Sequence, residues 1–444
     1  MKIEQIYTRC LSQASYYIES KGEAVVIDPI REVDQYIEKA KQTKSKIKYI
    51  LQTHFHADFV SGHLTISKLT DAPIVYGPNA DPLYDSIIAK DGDIFKFGNL
   101  SIKLIHTPGH TMESSCYLLF DENNKQNSIF TGDTLFLGDV GIPDVAQRYK
   151  DITKEALAAI LFDSINNKIK PLDDDLIVYP GHGAGSACGK SMMKETVDSL
   201  SNQKTINYSL NGSLNKGQFV NELTSNLPEP PSYFPQNVIM NKNGYKDLND
   251  ILKISNKPLN IDEFKRHLEL ENTVILDTRS SKDFSDSHIP NSYFVGLSGS
   301  FAPWVGEILR DVKINILLLS DDGKELESIT RLSRVGFDNC IGFLKGGIKS
   351  WIENGNKVEH IENISSEDFV SLKNDCQILD VRKKSETSLS SLKNSIKIPL
   401  SNLHLNLDSI NKKDKTYVHC AGGYRSMIAL SILKRNGFKN IVDI

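Results

Sequence analysis

Two histidines and an aspartate alternate with other residues in Thr53-His54-Phe55-His56-Ala57-Asp58, directly after the apolar run 47–51. A loop leaving a buried strand there can aim several of these side chains at one cation. Neutral imidazole together with carboxylate suits zinc, iron or manganese, whereas carboxylate alone suits calcium or magnesium. Ligand-type residues recur after later apolar runs, in His106-Thr107-Pro108-Gly109-His110-Thr111, Thr131-Gly132-Asp133-Thr134 and Pro180-Gly181-His182-Gly183. The glycines beside them allow tight turns and close backbone approach. A single H-x-H is a common polar turn; ligand types at four separate strand ends predict a metal site.

These residues need strands to hold them. Short apolar runs at 24–27, 47–51, 74–76, 100–105, 116–120, 128–130 and 176–179 read as strands, and 33–40 and 153–162 read as helices. That mixture predicts layered α/β packing over about the first 200 residues. Residues 203–245 are richer in Asn, Ser and Lys, and they contain Leu227-Pro228-Glu229-Pro230-Pro231-Ser232-Tyr233-Phe234-Pro235. This composition predicts an extended, semi-rigid connector, pinned to a surface by Tyr233 and Phe234.

The chain of 444 residues exceeds one core, so two to four domains are expected. A net charge of −4 gives no electrostatic footprint for nucleic acid or an anionic membrane. The apolar runs fall short of a membrane span, and the opening Met1-Lys2-Ile3-Glu4-Gln5 has no signal-peptide pattern, so a cytoplasmic location is expected. The six cysteines are scattered without C-x-x-C, which predicts reduced thiols.

From about residue 246 the chain repeats itself. Val274-Ile275-Leu276-Asp277-Thr278-Arg279 recurs as Gln377-Ile378-Leu379-Asp380-Val381-Arg382, and Gly336-Phe337-Asp338-Asn339 as Gly437-Phe438-Lys439-Asn440. The second copy carries Cys420-Ala421-Gly422-Gly423-Tyr424-Arg425-Ser426 between a strand and a helix. Backbone N–H groups turned toward the sulfur, with a helix N-terminus behind them, favour a thiolate or persulfide at Cys420. Arg425 adds positive charge for an anion. The first copy has Ser320-Asp321-Asp322-Gly323-Lys324-Glu325 there, and alignment by eye sets Asp321 against Cys420. A carboxylate cannot carry sulfane sulfur, so this copy is expected to be inert. The second copy also stops at Asp443-Ile444, before a counterpart of Gly346-Gly347-Ile348-Lys349-Ser350-Trp351, so its stability is expected to lean on its neighbours.

The motifs H-x-H-x-D, T-P-G-H-T, T-G-D and P-G-H resemble the metallo-β-lactamase fold, which implies an αββα sandwich with the metal at one sheet edge. Phe59 stands where binuclear thioesterases of that fold have a second-metal histidine, which favours a single metal. Gly138-Asp139-Val140-Gly141-Ile142-Pro143-Asp144 resembles persulfide dioxygenases within the fold, with Ile142 where an arginine is common. The resemblance implies one Fe(II) per N-terminal domain, held by His54, His110 and Asp133, with His56, Asp58 and His182 around them. Such a 2-His-1-carboxylate triad leaves open positions for O2 and a persulfide sulfur. Gly181-His182-Gly183-Ala184-Gly185-Ser186-Ala187-Cys188-Gly189-Lys190 is similar to the corresponding loop of dioxygenases fused to rhodaneses, which makes Cys188 a substrate-proximal candidate.

Strand-D-x-R, His288-Ile289-Pro290, strand-loop-helix and G-F-x-N resemble rhodanese domains, twice. The expected division is a dioxygenase domain over 1–202, the connector over 203–245, an inert rhodanese-like domain over 246–358 and an active rhodanese over 359–444. The family implies oxidation of a low-molecular-weight thiol persulfide (coenzyme A, bacillithiol or glutathione type) by O2 to sulfite. Thiosulfate then forms at Cys420, the whole serving sulfide detoxification in a homo-oligomer, expected as a tetramer. The competing readings are a zinc-dependent thioesterase of the glyoxalase II type, and a non-catalytic persulfide carrier or sensor.

Overall fold

The computed structural model describes residues 1–143, 151–227, 229–372 and 376–444. The chain divides into two compact units, one of residues 1–248 with 334–336 and one of 249–333 with 337–444.

The first unit contains two six-stranded sheets. One runs in the order Lys2–Thr8, Gln13–Ser20, Glu23–Ile27, Lys46–Leu51, Ile74–Tyr76 and Ile87–Ile88. The other runs Asp198–Ser199, Ile177–Pro180, Gln126–Gly132, Ser115–Phe120, Leu100–His106 and Ile94–Phe97. Side-chain alternation in the strands builds both faces of the second sheet. Leu100, Ile102, Leu104, Tyr117 and Leu119 point inward and pack with Ile18, Val25, Ile27 and Leu51 of the first sheet. Ile105, Cys116, Leu118 and Ile129 point outward, against Ala158 and Leu161 of the helix Lys154–Ser164. The helix His63–Thr70 packs on the strands Lys46–Leu51 and Ile74–Tyr76 of the first sheet. The result is the αββα sandwich.

The expected connector is not extended. Residues 216–224 and 234–243 are helices within the first unit. Asn215 and Gln218 close a capping box, and Phe219 and Leu223 are buried in the helical layer behind the second sheet. Pro235 sits in the first turn of its helix, where a missing N–H costs nothing. The prolines therefore mark helix entry, not an extended linker. Pro228 and Asp144 lie outside the described residues.

The second unit repeats one topology. Its first sheet has the order Pro258–Leu259, Cys340–Leu344, Asn315–Leu319, Thr273–Asp277, Tyr293–Phe294, and its second Glu362–Asn363, Ile441–Asp443, Thr416–His419, Gln377–Asp380, Ile396–Lys397. Every pairing is parallel in both. Among the described residues no helix is long and apolar enough to cross a membrane.

Candidate metal centre and thiol site

The ligand-type residues stand at the ends of four strands in two facing sheets. The Thr53 carbonyl accepts from the Ser115 N–H (2.9 Å), and the Gly132 carbonyl from the Gly181 N–H (2.8 Å), which draws these ends together. A Cβ on Gly181 would lie 2.6 Å from Asp133 Oδ1, so only glycine lets that turn approach.

His54, His110 and Asp133 are buried, and each offers a donor atom within 4.8 Å of the other two. Asp133 Oδ2 lies 3.9 Å from His54 Nε2 and 3.6 Å from His110 Nε2, and it carries no hydrogen bond. Two donors bound to one ion at ~2.1 Å can be at most ~4.2 Å apart, so these separations fit a shared ion. An orphaned carboxylate oxygen facing two imidazoles is the donor set of a 2-His-1-carboxylate metal.

The remaining atoms of these side chains are occupied. His110 Nδ1 donates to the Ile142 carbonyl (2.6 Å), which fixes the tautomer that leaves Nε2 as a ligand. Ile142 thus contributes its backbone, not its side chain. His54 Nδ1 is 3.0 Å from Thr53 Oγ1, which donates to Asp28 Oδ2 (2.7 Å), and the Thr53 N–H donates to Asp28 Oδ1 (2.8 Å). Asp133 Oδ1 and Asp58 Oδ2 flank His182, accepting from Nδ1 (2.8 Å) and Nε2 (2.9 Å). Burial opposes charge on His182, but the two carboxylates outweigh it and hold the imidazole well above its usual range. Burial likewise pushes the Asp133 carboxyl up, and the imidazoles of His182, His54 and His110 overcome it and hold the group well below.

The other expected residues fall around this cluster. The His56 ring packs between those of His54 (4.3 Å) and Phe59 (4.4 Å), outside the donor cluster. Phe59 is fully buried. Asp58, His182 and Cys188 form a second group of close donors beside the first. Burial, then the carboxylates of Asp133 and Asp58, push the Cys188 thiol well up, so it is a neutral S–H. Asp139 ties the two loops together, accepting from the N–H groups of Lys190 (2.7 Å) and Ser191 (2.6 Å). The sequence reading assigned no role to Asp28, or to Thr53 and Asp139, which stand inside quoted motifs. The only prior sign was the acid ending the apolar run 24–27, since their roles depend on long-range contacts.

In the second unit, Cys420 follows the strand Thr416–His419, and Gly423 (φ +80°) turns the chain into the helix Tyr424–Arg435. Cys420 Sγ is 3.7 Å from Ser426 Oγ. Arg425 is not free: Glu386 clamps its guanidinium at 2.6 and 2.8 Å, and that pairing lowers the Glu386 carboxyl to about 2. Arg382, anchored on Asp380 (2.6 Å), also lies within electrostatic reach of Cys420. It is a second cation that the sequence reading did not single out.

Sheet register corrects the alignment of the first copy. Leu319 pairs with Asp277 as His419 pairs with Asp380, and Gly323 (φ +79°) matches Gly423. The residue in the place of Cys420 is therefore Ser320, and Asp321 corresponds to Ala421. Setting Asp321 against Cys420 placed the loop one residue late, and the copies also differ by three residues between D-x-R and this strand end, so only the pairing fixes the match. A serine hydroxyl cannot hold sulfane sulfur either, so the copy still lacks a sulfur-carrying side chain.

A two-sheet sandwich with a His–His–Asp cluster at its strand ends is followed by two parallel α/β modules, of which one bears a thiol loop. Residues 8–182 match the Metallo-beta-lactamase superfamily, and residues 260–354 and 365–444 each match the Rhodanese-like domain. The chain is 31% identical over 199 residues to a hydroxyacylglutathione hydrolase of Francisella philomiragia, covering 45% of this chain and 72% of that one. It is 28% identical over 208 residues to a probable hydroxyacylglutathione hydrolase of Schizosaccharomyces pombe, covering 45% and 76%. A crystal structure of a metallo-beta-lactamase from Staphylococcus aureus subsp. aureus COL superposes with a TM-score of 0.68 at 30% identity, over 77% of this chain and 98% of that one. The chain belongs to the metallo-β-lactamase superfamily and carries rhodanese-like domains behind its N-terminal fold.

Proposed function

We propose that the chain oxidises a low-molecular-weight thiol persulfide with O2 and water to sulfite and the free thiol, then joins sulfite to a second sulfane sulfur at Cys420. The observation that carries this reading is the pairing of the His54, His110 and Asp133 cluster with a thiol loop in the same chain; the buried Phe59, where binuclear thioesterases of the fold have a second-metal histidine, supports a single ion. His54, His110 and Asp133 Oδ2 would hold one Fe(II). When bound, that ion supplies the redox chemistry by which O2 oxidises the outer sulfur. The chain's own residues set the geometry. The Ile142 carbonyl and Thr53 hydroxyl hold both Nε2 atoms toward the ion, and the His182 imidazolium balances the charge of Asp133 and Asp58. Cys188 stays protonated and offers a neutral surface to the persulfide.

At the second site the Cys420 thiolate attacks the outer sulfur of the persulfide, and the carrier thiol leaves. Sulfite then attacks the sulfur held on Cys420, forming the S–S bond of thiosulfate and restoring the thiolate. Joining both sites in one chain keeps sulfite at high effective concentration. Coenzyme A, bacillithiol and glutathione persulfides are the substrates to compare.

The similarity to hydroxyacylglutathione hydrolases favours a second reading, a zinc thioesterase using metal-activated water. Metal analysis after anaerobic purification, with O2 uptake on each persulfide, separates the two. We expect one iron per chain and one O2 consumed per sulfite formed. Zinc content, no O2 uptake and thioester cleavage would overturn the proposal.

A further inference from the structure

The loop that carries His54, His56 and Asp58 is held from outside the strands that lead into it. Asn241 lies on the helix Phe234–Asn243, beyond the residues that match the superfamily, and is buried. Its Nδ2 donates to the carbonyls of His56 and Phe59, both at 2.8 Å, and its Oδ1 accepts from the Ser61 N–H at 2.9 Å. One side-chain amide has two N–H donors and one carbonyl acceptor, and all three are spent on a single six-residue turn. That turn contains His56, Asp58 and Phe59 and begins two residues after His54.

The helix itself is tied down from several directions. The Tyr84 hydroxyl donates to the Asn241 carbonyl (2.7 Å) and the Leu83 N–H to the Lys242 carbonyl (2.8 Å). The amide is therefore presented on a fixed support, as a group that must hold another in place requires. A separate tie, from Thr65 Oγ1 to Asp247 Oδ2 (3.0 Å), lies beyond the end of the helix and is no part of the support under Asn241. The Tyr233 hydroxyl, at the start of the same helix, donates to the Asp58 carbonyl (3.4 Å).

We propose that Asn241 is a positioning residue for the metal centre, clamping residues 56–61 so that His54 and Asp58 keep the geometry a bound ion needs. The inference rests on the reading of His54, His110 and Asp133 as a metal site, but on neither the identity of the ion nor the reaction. Asn241 touches no ligand side chain; it acts through the backbone of the loop. A purely structural tie would lower stability without changing how an ion is held, and the test separates these.

Asn241→Asp keeps the size and the acceptor for Ser61 but faces a second oxygen toward two carbonyls. In the full chain, we expect Co(II) affinity, measured by chelator competition, to fall about 10–100-fold, the range seen when groups that orient metal ligands are lost. The visible Co(II) absorption should change in position and intensity, because the ligand geometry changes. Thr65→Ala cuts a tie of the same segment that does not reach residues 56–61, and it should leave both unchanged. In the unaltered protein, backbone hydrogen exchange in the peptide spanning 56–61 should slow when Co(II) is added, which keeps the test open if Asn241→Asp does not fold. Unchanged affinity and spectrum in Asn241→Asp, an equal loss in Thr65→Ala, or metal-independent exchange would each overturn the clamp. If the unaltered protein bound no Co(II) at this cluster, the metal-site reading itself would fall instead.

Discussion

Removing one hydroxyl from Thr53 tests how the metal centre is prepared before an ion arrives. Thr53 Oγ1 spends its one proton on Asp28 Oδ2, so toward His54 it can only accept; Nδ1 is then the donor, which leaves Nε2, facing Asp133 Oδ2, for the ion. Thr53→Val keeps the branched shape and the backbone bond to Asp28 but leaves the Nδ1–H and one carboxylate oxygen buried without partners. Each such loss costs about 1–3 kcal/mol. Part of that cost falls on folding, and part on the orientation and basicity of His54. The second part should lower metal affinity about 10–100-fold, equivalent to about 1.4–2.8 kcal/mol. The assay is competition with a chelator of known affinity, run beside a urea titration of the metal-free protein. A Thr53→Val protein that binds metal within about twofold of the unaltered chain would show that the Asp28–Thr53–His54 chain does not prepare the ligand. The same conclusion would follow if stability fell while affinity held.

Three further outcomes follow from the second unit. Cys420→Ser should abolish thiosulfate formation while sulfite release and O2 uptake continue; loss of both activities would refute two separate sites. Gly299→Ala would place a Cβ 2.4–2.7 Å from the ring of Tyr424, the half-buried residue that opens the helix after the Cys420 loop and whose hydroxyl donates to the Gly296 carbonyl (2.8 Å). Overpacking of that kind costs about 1–3 kcal/mol, equivalent to about 5–150-fold, so sulfurtransferase activity should fall within that range with O2 uptake unchanged, and normal kinetics would refute the contact's role. Burial raises the Asp443 carboxyl to about 6, against a hydrogen bond from Ser426 that lowers it. A raised acid favours the folded state only while protonated. That contribution is fully present below the ordinary carboxylate range and lost as pH rises through about 6. Asp443→Asn should therefore raise the urea midpoint at pH 7.5 by an amount equivalent to about 2–3 kcal/mol and do little at pH 4, and equal effects at both would refute the linkage.

The three donors of the His54, His110 and Asp133 cluster were legible because each follows an apolar run, and His110 and Asp133 also sit beside a glycine, a pattern that marks a strand end. The sandwich was legible for the same reason: Leu100, Ile102 and Leu104 alternate with residues that face the other layer. What stayed hidden depends on contacts distant in sequence. Asn241 looks like one polar residue among many until it is seen against the carbonyls of His56 and Phe59. The helix that carries it was obscured by the prolines at its entry. Asp321 was set against Cys420 one residue late, because which residue ends each strand is determined by pairing with the neighbouring strand and is invisible in sequence. Arg425 was expected to face an anion alone, and nothing near it in sequence announced Glu386.

The helix Phe234–Asn243 also bears on how such chains can be assembled and cut. Residues 8–182 carry the superfamily pattern and every expected metal ligand, so the segment after them looks exchangeable between fusion partners. Its hydrogen bonds back to residues 56–61 say otherwise. A recombination junction near residue 202 would keep all the ligands and discard the group that braces their loop. The first compact unit runs to residue 248 and also takes in 334–336 from within the first rhodanese-like module, so a junction beyond about residue 248 keeps the helix Phe234–Asn243 with the loop it holds but still removes those three residues.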